Sequence, residues 1–421
     1  MPELAPLLTP NRRELPELIR EFHRQASPWL PAGLGNHLHW GPPVQQPSPA
    51  LSCAALNRII EHAVGDFTVT VEAGLPLAEL QAALAEKNQW LAIDPPLAGP
   101  SSIGGLVARG LSGRLRHRHL NLRDQIIGIS LIRADGTGAK AGGRVVKNVA
   151  GYDLMRLFCG SWGSLGLITE LSLRTQPIPP LRQLLRAEGS AVGLQQLRQQ
   201  LLLHCPLALE LLEWRQGPGS ESTQGQAQNQ GQPWLEIGLV SLDAAALADQ
   251  KEKLLALASS VQAVQISETG QNTYPATTDP ASTDPASTDP ASTEPVAINH
   301  WLLRLGVEPL RGQELLGRPE ARGWQLRLGA ASGLGLAEAP FRAQPAYRVE
   351  ALRQACQELG GSLTVLQAPP GSAIPAWGDA PARSLIEAVK RQFDPLQQLA
   401  RGRLPGVAPR QAGPPRQAVG P

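Results

Sequence analysis

Cysteine is scarce in this sequence and never paired. Cys53, Cys159, Cys205 and Cys356 lie far apart with no CxxC among them, which argues against a zinc or iron–sulfur site in this chain and fits thiols kept reduced. No apolar run approaches the roughly 20 residues needed to span a bilayer. The first residues lack the basic, apolar, small-residue succession of a secretory signal. The expectation is a cytoplasmic protein with no direct membrane insertion, reaching a membrane only through partner subunits. Charge of either sign is nearly balanced, at +2 over 421 residues, so nothing argues for nucleic acid. No GK[ST] follows a strand, which removes a P-loop. Gly33 and Gly35 begin a GxGxxG pattern, but Leu38 holds its third glycine position, so a nicotinamide-binding Rossmann unit is not expected either. Histidine is missing from the whole C-terminal stretch after His300. With His204 and His300 isolated, no metal-ligating spacing is present.

Glycine, by contrast, is abundant, and its spacing in the stretch from Asp94 to Pro177 looks set for a ligand rather than a core. Gly104 and Gly105 open an apolar helical run that Ser112 and Gly113 close. Gly160, Gly163 and Gly166 cluster before a strand. Glycine lets a backbone approach a bulky or phosphorylated molecule, and amides at a helix start point toward an anion. The stretch reads as a dinucleotide cradle. The basic run Arg114, Arg116, His117, Arg118, His119 reads as a solvated loop, with a phosphate or partner contact as the alternative.

Around the cradle, periodicity predicts a helix over Leu15–Gln25 and a tight loop over Trp29–Pro43. Leu51–Ile60 reads as helical or turn-like, and a strand over Phe67–Val71 has Phe67, Val69 and Val71 inward. Pro76 starts a helix, and Leu91–Ile93 reads as a short strand. A hairpin joins Ile126–Arg133 to Gly138–Ala141 through Asp135-Gly136. Asp153 is placed to cap a short helix, Leu154–Phe158, and Leu167–Arg174 alternates as a strand. Pro177, Pro179 and Pro180 end this unit. Beyond them, helices over 194–203, 244–259 and 348–359 alternate with strands over 207–214, 234–242, 263–267, 324–328 and 362–367. That is the pattern of an α+β domain with an antiparallel sheet covered on one face. Insertions at 217–232 and 270–296, the latter repeating Thr-Asp-Pro-Ala-Ser, are expected to be disordered, as is the tail 405–421. A helix over Arg383–Phe393 precedes that tail. The domain expectation is 1–179 followed by 180–404.

Several motifs carry a resemblance. Pro31-Ala-Gly-Leu-Gly-Asn-His-Leu-His-Trp-Gly41 aligns without gaps on a P-R-G-G-G-T-K-L-G-W-G pyrophosphate loop. Ser102-Ile-Gly-Gly105 matches a T-I-G-G turn, Gly110-Leu-Ser-Gly113 a G-L-S-G, and Leu122-Arg-Asp124 an L-R-D. Lys147-Asn-Val-Ala-Gly-Tyr-Asp153 reproduces K-N-V-A-G-Y-D, and Gly163-Ser-Leu-Gly166 matches G-T-L-G. Phe393-Asp-Pro395 and Gly402-Arg403 match a C-terminal pair. The chain thereby resembles the vanillyl-alcohol-oxidase (PCMH-type) FAD-binding family, and more narrowly the FAD-binding subunits of bacterial glycolate oxidases. The match is tight over about two fifths of the chain. It implies an α+β fold with a two-subdomain PCMH-type FAD-binding domain followed by an α+β cap domain.

The resemblance also implies roles by position. Gly33, Leu34, Gly35, Asn36, His37 and Leu38, with Pro100, Ser101, Ser102, Gly104 and Gly105, would offer backbone amides to the pyrophosphate of FAD. Ala108, Ser112 and Gly113 would run beside the flavin and its ribityl chain. Asp124 would order the pocket wall, and Gly166, Leu167 and Ile168 would approach the adenosine end. Relatives that attach FAD covalently use a histidine where this chain has Asn36, so the flavin is expected to be non-covalent. Ala32 and Leu34 replace an arginine and a glycine, and His37 a lysine, leaving a less open and less charged loop. His37 and His39 read equally well as surface histidines. Catalytic residues stay open, with Tyr152 and Lys147 as candidates and helix packing or a local ion pair as their plain alternative. No metal is expected. The leading functional expectation is an FAD-binding subunit of a glycolate oxidase complex acting on glycolate or a similar 2-hydroxy acid. Its partners would be a catalytic FAD subunit and an iron–sulfur subunit. The alternatives are a stand-alone FAD oxidoreductase and a structural subunit that has lost flavin.

Overall fold

The computed structural model describes residues 6–43, 48–96, 101–144, 153–204, 207–217, 231–269 and 299–408. Pro100, Lys147, Tyr152, most of the first insertion and all of the second lie outside them. So does the end of the tail.

The first part of the chain holds two sheets. A small parallel one has the order Leu7–Leu8, Ala50–Ser52, Leu30–Ala32. A five-stranded antiparallel one has the order Ile59–Ala63, Thr68–Glu72, Leu167–Arg174, Ile126–Ile132, Gly138–Gly142. The helices Leu77–Ala85 and Ile103–Arg109 send Leu80, Leu84, Leu106 and Val107 into a core shared with Val71, Ile129 and Leu171. The Asp135 turn forms as expected, its carboxylate accepting from the Thr137 amide at 3.0 Å.

Four local expectations are corrected. Leu51–Ile60 contains no helix; it is turn-like only at Ala54 and Ala55 and joins two strands. Phe67 is exposed, because its left-handed backbone (φ 52°) turns it out at the strand's start. Leu91–Ile93 is buried without strand pairing, whereas Gln89–Trp90 pairs with Gln176–Pro177. Asp153 caps nothing with its side chain and pairs with Arg156 at 2.9 Å.

Beyond Pro180 one motif is used twice. The first copy runs strand Leu181–Gly189, helix Ala191–Leu203, strand Leu209–Gln216, strand Trp234–Ser241, helix Ala244–Ser260, strand Val264–Glu268. The second runs strand His300–Gly306, helix Gly312–Gly317, strand Gln325–Gly329, strand Leu334–Pro340, helix Ala346–Glu358, strand Ser362–Gln367. The two copies join through their second strands, 209–216 against 325–329. The result is one eight-stranded antiparallel sheet whose order along one half is the reverse of the other. Each copy has the β-α-β-β-α-β succession of a ferredoxin-like unit. Strands 181–189, 300–306 and 334–340 were not read from the sequence. The helices cover one face, over Leu212, Trp214, Leu303, Leu305 and Leu328.

The other face carries Glu213, Arg215 and Glu236 and turns toward the first part of the chain, where Arg114 reaches Glu236 at 2.5 Å and Asp94 at 3.3 Å. The stretch read as a solvated loop is therefore in part a contact layer between the two parts of the chain: Arg114 is largely buried and the short helix Arg116–His119 packs on strand 209–216. The chain then returns. Helix Arg383–Phe393 lays Val389 and Phe393 on the first core, and Leu399 enters a second cluster with Trp29 and Leu51.

Candidate functional site

The glycine-rich loop begins where strand Leu30–Ala32 ends, pinned by a hydrogen bond from Ser52 Oγ to the Gly33 carbonyl at 2.7 Å. Gly35 takes φ +88°, a left-handed conformation natural to glycine. Facing this loop is the start of helix Ile103–Arg109, where Ser102 caps by accepting from the Gly105 amide at 3.2 Å. A cavity opens between them. Its wall includes residues 31–38, Ser101, Ser102, Gly104, Gly105, Ala108, Arg109, Trp162, Gly166, Leu167, Ile168 and Arg403.

Fourteen of the expected site residues thus meet in one place: Gly33 to Leu38, Ser101, Ser102, Gly104, Gly105, Ala108 and Gly166 to Ile168. Three do not. Gly113 packs under Asp94, where a Cβ would stand 1.9 Å from the Asp94 carbonyl, and Ser112 Oγ accepts from the Leu122 amide at 3.1 Å. Asp124 opens instead onto a separate surface hollow with Arg118, His119 and Arg174.

The glycines owe their identity to the fold as much as to a ligand. A Cβ on Gly33 would meet Ser102 Oγ at 2.0 Å, and one on Gly104 would meet the Ala73 carbonyl at 2.8 Å. Loop and helix can approach each other only without side chains there. The turn also offers fewer amides than expected. Ile103 and Gly104 already donate to the Leu75 and Ala73 carbonyls at 3.0 and 2.8 Å, and Gly105 donates to Ser102. In the facing loop, the amides of Gly33, Leu34, Gly35 and His37 donate to no other described residue.

Two cations replace the missing donors, and both escaped the sequence reading. Arg109 (7% exposed) donates from Nε to the Gly105 carbonyl at 3.1 Å and from Nη2 to Ser101 Oγ at 3.2 Å. Its guanidinium lies 4.9 Å from the Trp40 ring centroid, and its Nη1 is buried without a partner. Arg403 (6% exposed) donates from Nε to the Pro42 carbonyl at 2.9 Å and from Nη2 to Leu38 at 2.6 Å. Neither is ion-paired among the described residues. Burial alone pushes each down to about 10, so both remain charged at neutral pH. The one signal for Arg109 was a lone charge inside an apolar helical run. Arg403 gave none beyond its place in a matching Gly-Arg pair.

His37 does not supply the charge its position suggested. Burial, then Arg109, then His39 hold it down at about 3, and its ring packs edge-on to Trp40 at 4.5 Å. It is a neutral imidazole in the pocket wall. Trp40 in turn belongs to a buried cluster with Leu111, Trp162, Leu302, Leu366 and Trp377, drawn from both parts of the chain. The Gly41 amide donates to the Leu366 carbonyl at 2.7 Å across that seam.

Donor-rich at the loop, cationic at Arg109 and Arg403 and apolar at Leu34, Leu38 and Ile168, this cavity fits a dinucleotide carrying a diphosphate. Residues 7–142 match the family described as FAD binding domain. The chain is similar to "Glycolate oxidase subunit GlcE" of Escherichia coli (strain K12), at 34% identity over 175 residues, covering 41% of this chain and 49% of that one. It is also similar to "D-lactate dehydrogenase [cytochrome], mitochondrial" of Arabidopsis thaliana, at 32% identity, covering 40% of this chain and 30% of that one. The chain therefore matches about half or less of the length of these curated relatives. Among solved structures, alkyldihydroxyacetonephosphate synthase shares the fold with a TM-score of 0.61 at 14% identity, covering 94% of this chain and 77% of that one. Across residues 7–142 the chain carries an FAD-binding domain, and FAD is its cofactor.

Proposed function

We propose that this chain is the FAD-binding subunit of a complex that oxidises glycolate or a similar 2-hydroxy acid, beside a catalytic FAD subunit and an iron–sulfur subunit. The observation that carries this reading is the loop cavity, most of whose wall lies within the region matched to the FAD-binding family and which is built from residues suited to FAD. Gly33 to Leu38, Ser101, Ser102, Gly104, Gly105, Ala108 and Gly166 to Ile168 would hold the cofactor. Asn36 has no imidazole to bond it, so the cofactor is held non-covalently. FAD, when bound, supplies a two-electron acceptor.

A partner-dependent role is supported by the second half. Removing the hydroxyl proton of a 2-hydroxy acid needs a base, and no histidine follows His300. Among the described residues, several charged groups on the sheet face toward the first part of the chain are already committed to one another: Arg215 lies 2.9 Å from Glu236, and Arg327 pairs with Glu338. No described helix is long and apolar enough to cross a membrane.

The test is the visible absorption spectrum of the purified chain, loaded with FAD, before and after glycolate. A flavin band that glycolate leaves unchanged until the partner subunits are added is the expected result. Bleaching by glycolate without partners would overturn the subunit role, and failure to take up FAD would overturn the cofactor assignment.

A further inference from the structure

We propose that Arg109 and Arg403 form a two-cation clamp on the diphosphate of the bound dinucleotide, which makes the C-terminal segment 394–403 a working part of the cofactor site. This rests on the FAD reading above and adds to it two residues, one of them far outside the region that matches the FAD-binding family. Each guanidinium spends Nε and Nη2 on protein oxygens, which fixes its plane. Each is left with Nη1 free of any described partner, buried in the case of Arg109. Both line the same cavity, and no described carboxylate pairs with either. Two desolvated positive charges without counter-charge are costly to bury. A diphosphate brings the matching two negative charges, and arginine suits it by fork geometry.

The fold devotes unusual effort to placing Arg403. Lys390 (4% exposed) binds Asp394 (0% exposed) and donates to the Ser164 and Leu399 carbonyls at 2.7 and 2.9 Å. The Asp394 carboxylate accepts from the Gln398 and Leu399 amides at 2.9 and 2.8 Å. Gln398 then donates to the Phe22 and Ser27 carbonyls at 2.8 and 3.0 Å, and the Ala400 amide bonds the Trp29 carbonyl at 3.0 Å. The segment is stitched beside the strand that leads into the glycine-rich loop, and Arg403 closes over the loop's carbonyls.

The experiment compares FAD and riboflavin binding to the full chain and to Arg109→Gln, Arg403→Gln and Arg403→Lys, by flavin fluorescence titration at low and high salt. Each glutamine variant should weaken FAD by about 10- to 100-fold, the range for one lost charge-assisted hydrogen bond, and leave riboflavin, which has no phosphate, unchanged. The salt dependence of FAD binding should fall in step, and Arg403→Lys should recover part of the loss. Equal weakening of FAD and riboflavin would mean the arginines only support the loop, and would overturn the clamp. So would unchanged FAD binding in both glutamine variants. If the unaltered chain binds neither flavin, the FAD reading itself fails, a result distinct from both.

Discussion

Replacing Glu213 by glutamine should stabilise this protein, and the gain should depend on pH in a defined window. Glu213 stands directly across the strand pair from Glu236, is 5% exposed, and has one oxygen without a hydrogen bond. Burial, opposed by Arg215 and reinforced by Glu236, pushes its carboxyl up from 4.5 to about 7. The folded chain thus keeps this proton up to about pH 7, whereas the unfolded chain releases it near 4.5. Native protein binds more protons between those values, so stability falls as pH rises through them. At 1.36 kcal/mol per pKa unit the penalty above pH 7 is about 3 kcal/mol. Glutamine keeps the shape, cannot ionise, and leaves Arg215 to Glu236, which it already contacts at 2.9 Å. Urea unfolding followed by tryptophan fluorescence, which Trp214, Trp301 and Trp324 report from the core of the second sheet, should show a gain of about 2–3 kcal/mol at about pH 8 that shrinks to about 1 kcal/mol or less at about pH 5. A variant less stable than the parent at the higher pH, or a gain of the same size at both, would refute the reasoning.

Gly33→Ala should drive a methyl group into Ser102, costing about 1–3 kcal/mol and releasing flavin, both read from a urea midpoint and a spectrum of the purified variant. Full flavin retention with an unchanged midpoint would show that loop and helix can move apart. Lys390→Met strands the Asp394 carboxylate and should cost about 3–5 kcal/mol of stability, whereas adding Asp394→Leu should restore part of it. A double variant no better than the single would show that the backbone bonds to Asp394, rather than the ion pair, hold the segment.

Much of the local structure was legible because its causes are local. The alternation in Leu167–Arg174, the Asp135-Gly136 turn and the helix Arg383–Phe393 each follow from neighbours within a few residues. Beyond Pro180, the three unread strands lacked such cues. His300–Gly306 begins right after the Thr-Asp-Pro-Ala-Ser repeat, and Leu334–Pro340 is written mostly in Gly, Ala and Leu, which have little strand preference. Their strand state comes from partners on both sides in the sheet.

The candidate site divides in the same way. By itself the sequence determined the glycine-rich loop, the glycine-opened helical run at Gly104 and Gly105 and the dinucleotide these imply, since backbone freedom is written into consecutive residues. Only the tertiary structure decided what fills the space between them. It showed that Gly33 and Gly104 are held bare by Ser102 and Ala73, that His37 is neutral, and that Ser112, Gly113 and Asp124 lie elsewhere. It also brought Arg403 from the far end of the chain to the loop beside Arg109. No local pattern encodes that meeting, because burial and charge at one point are sums over segments that only folding brings together.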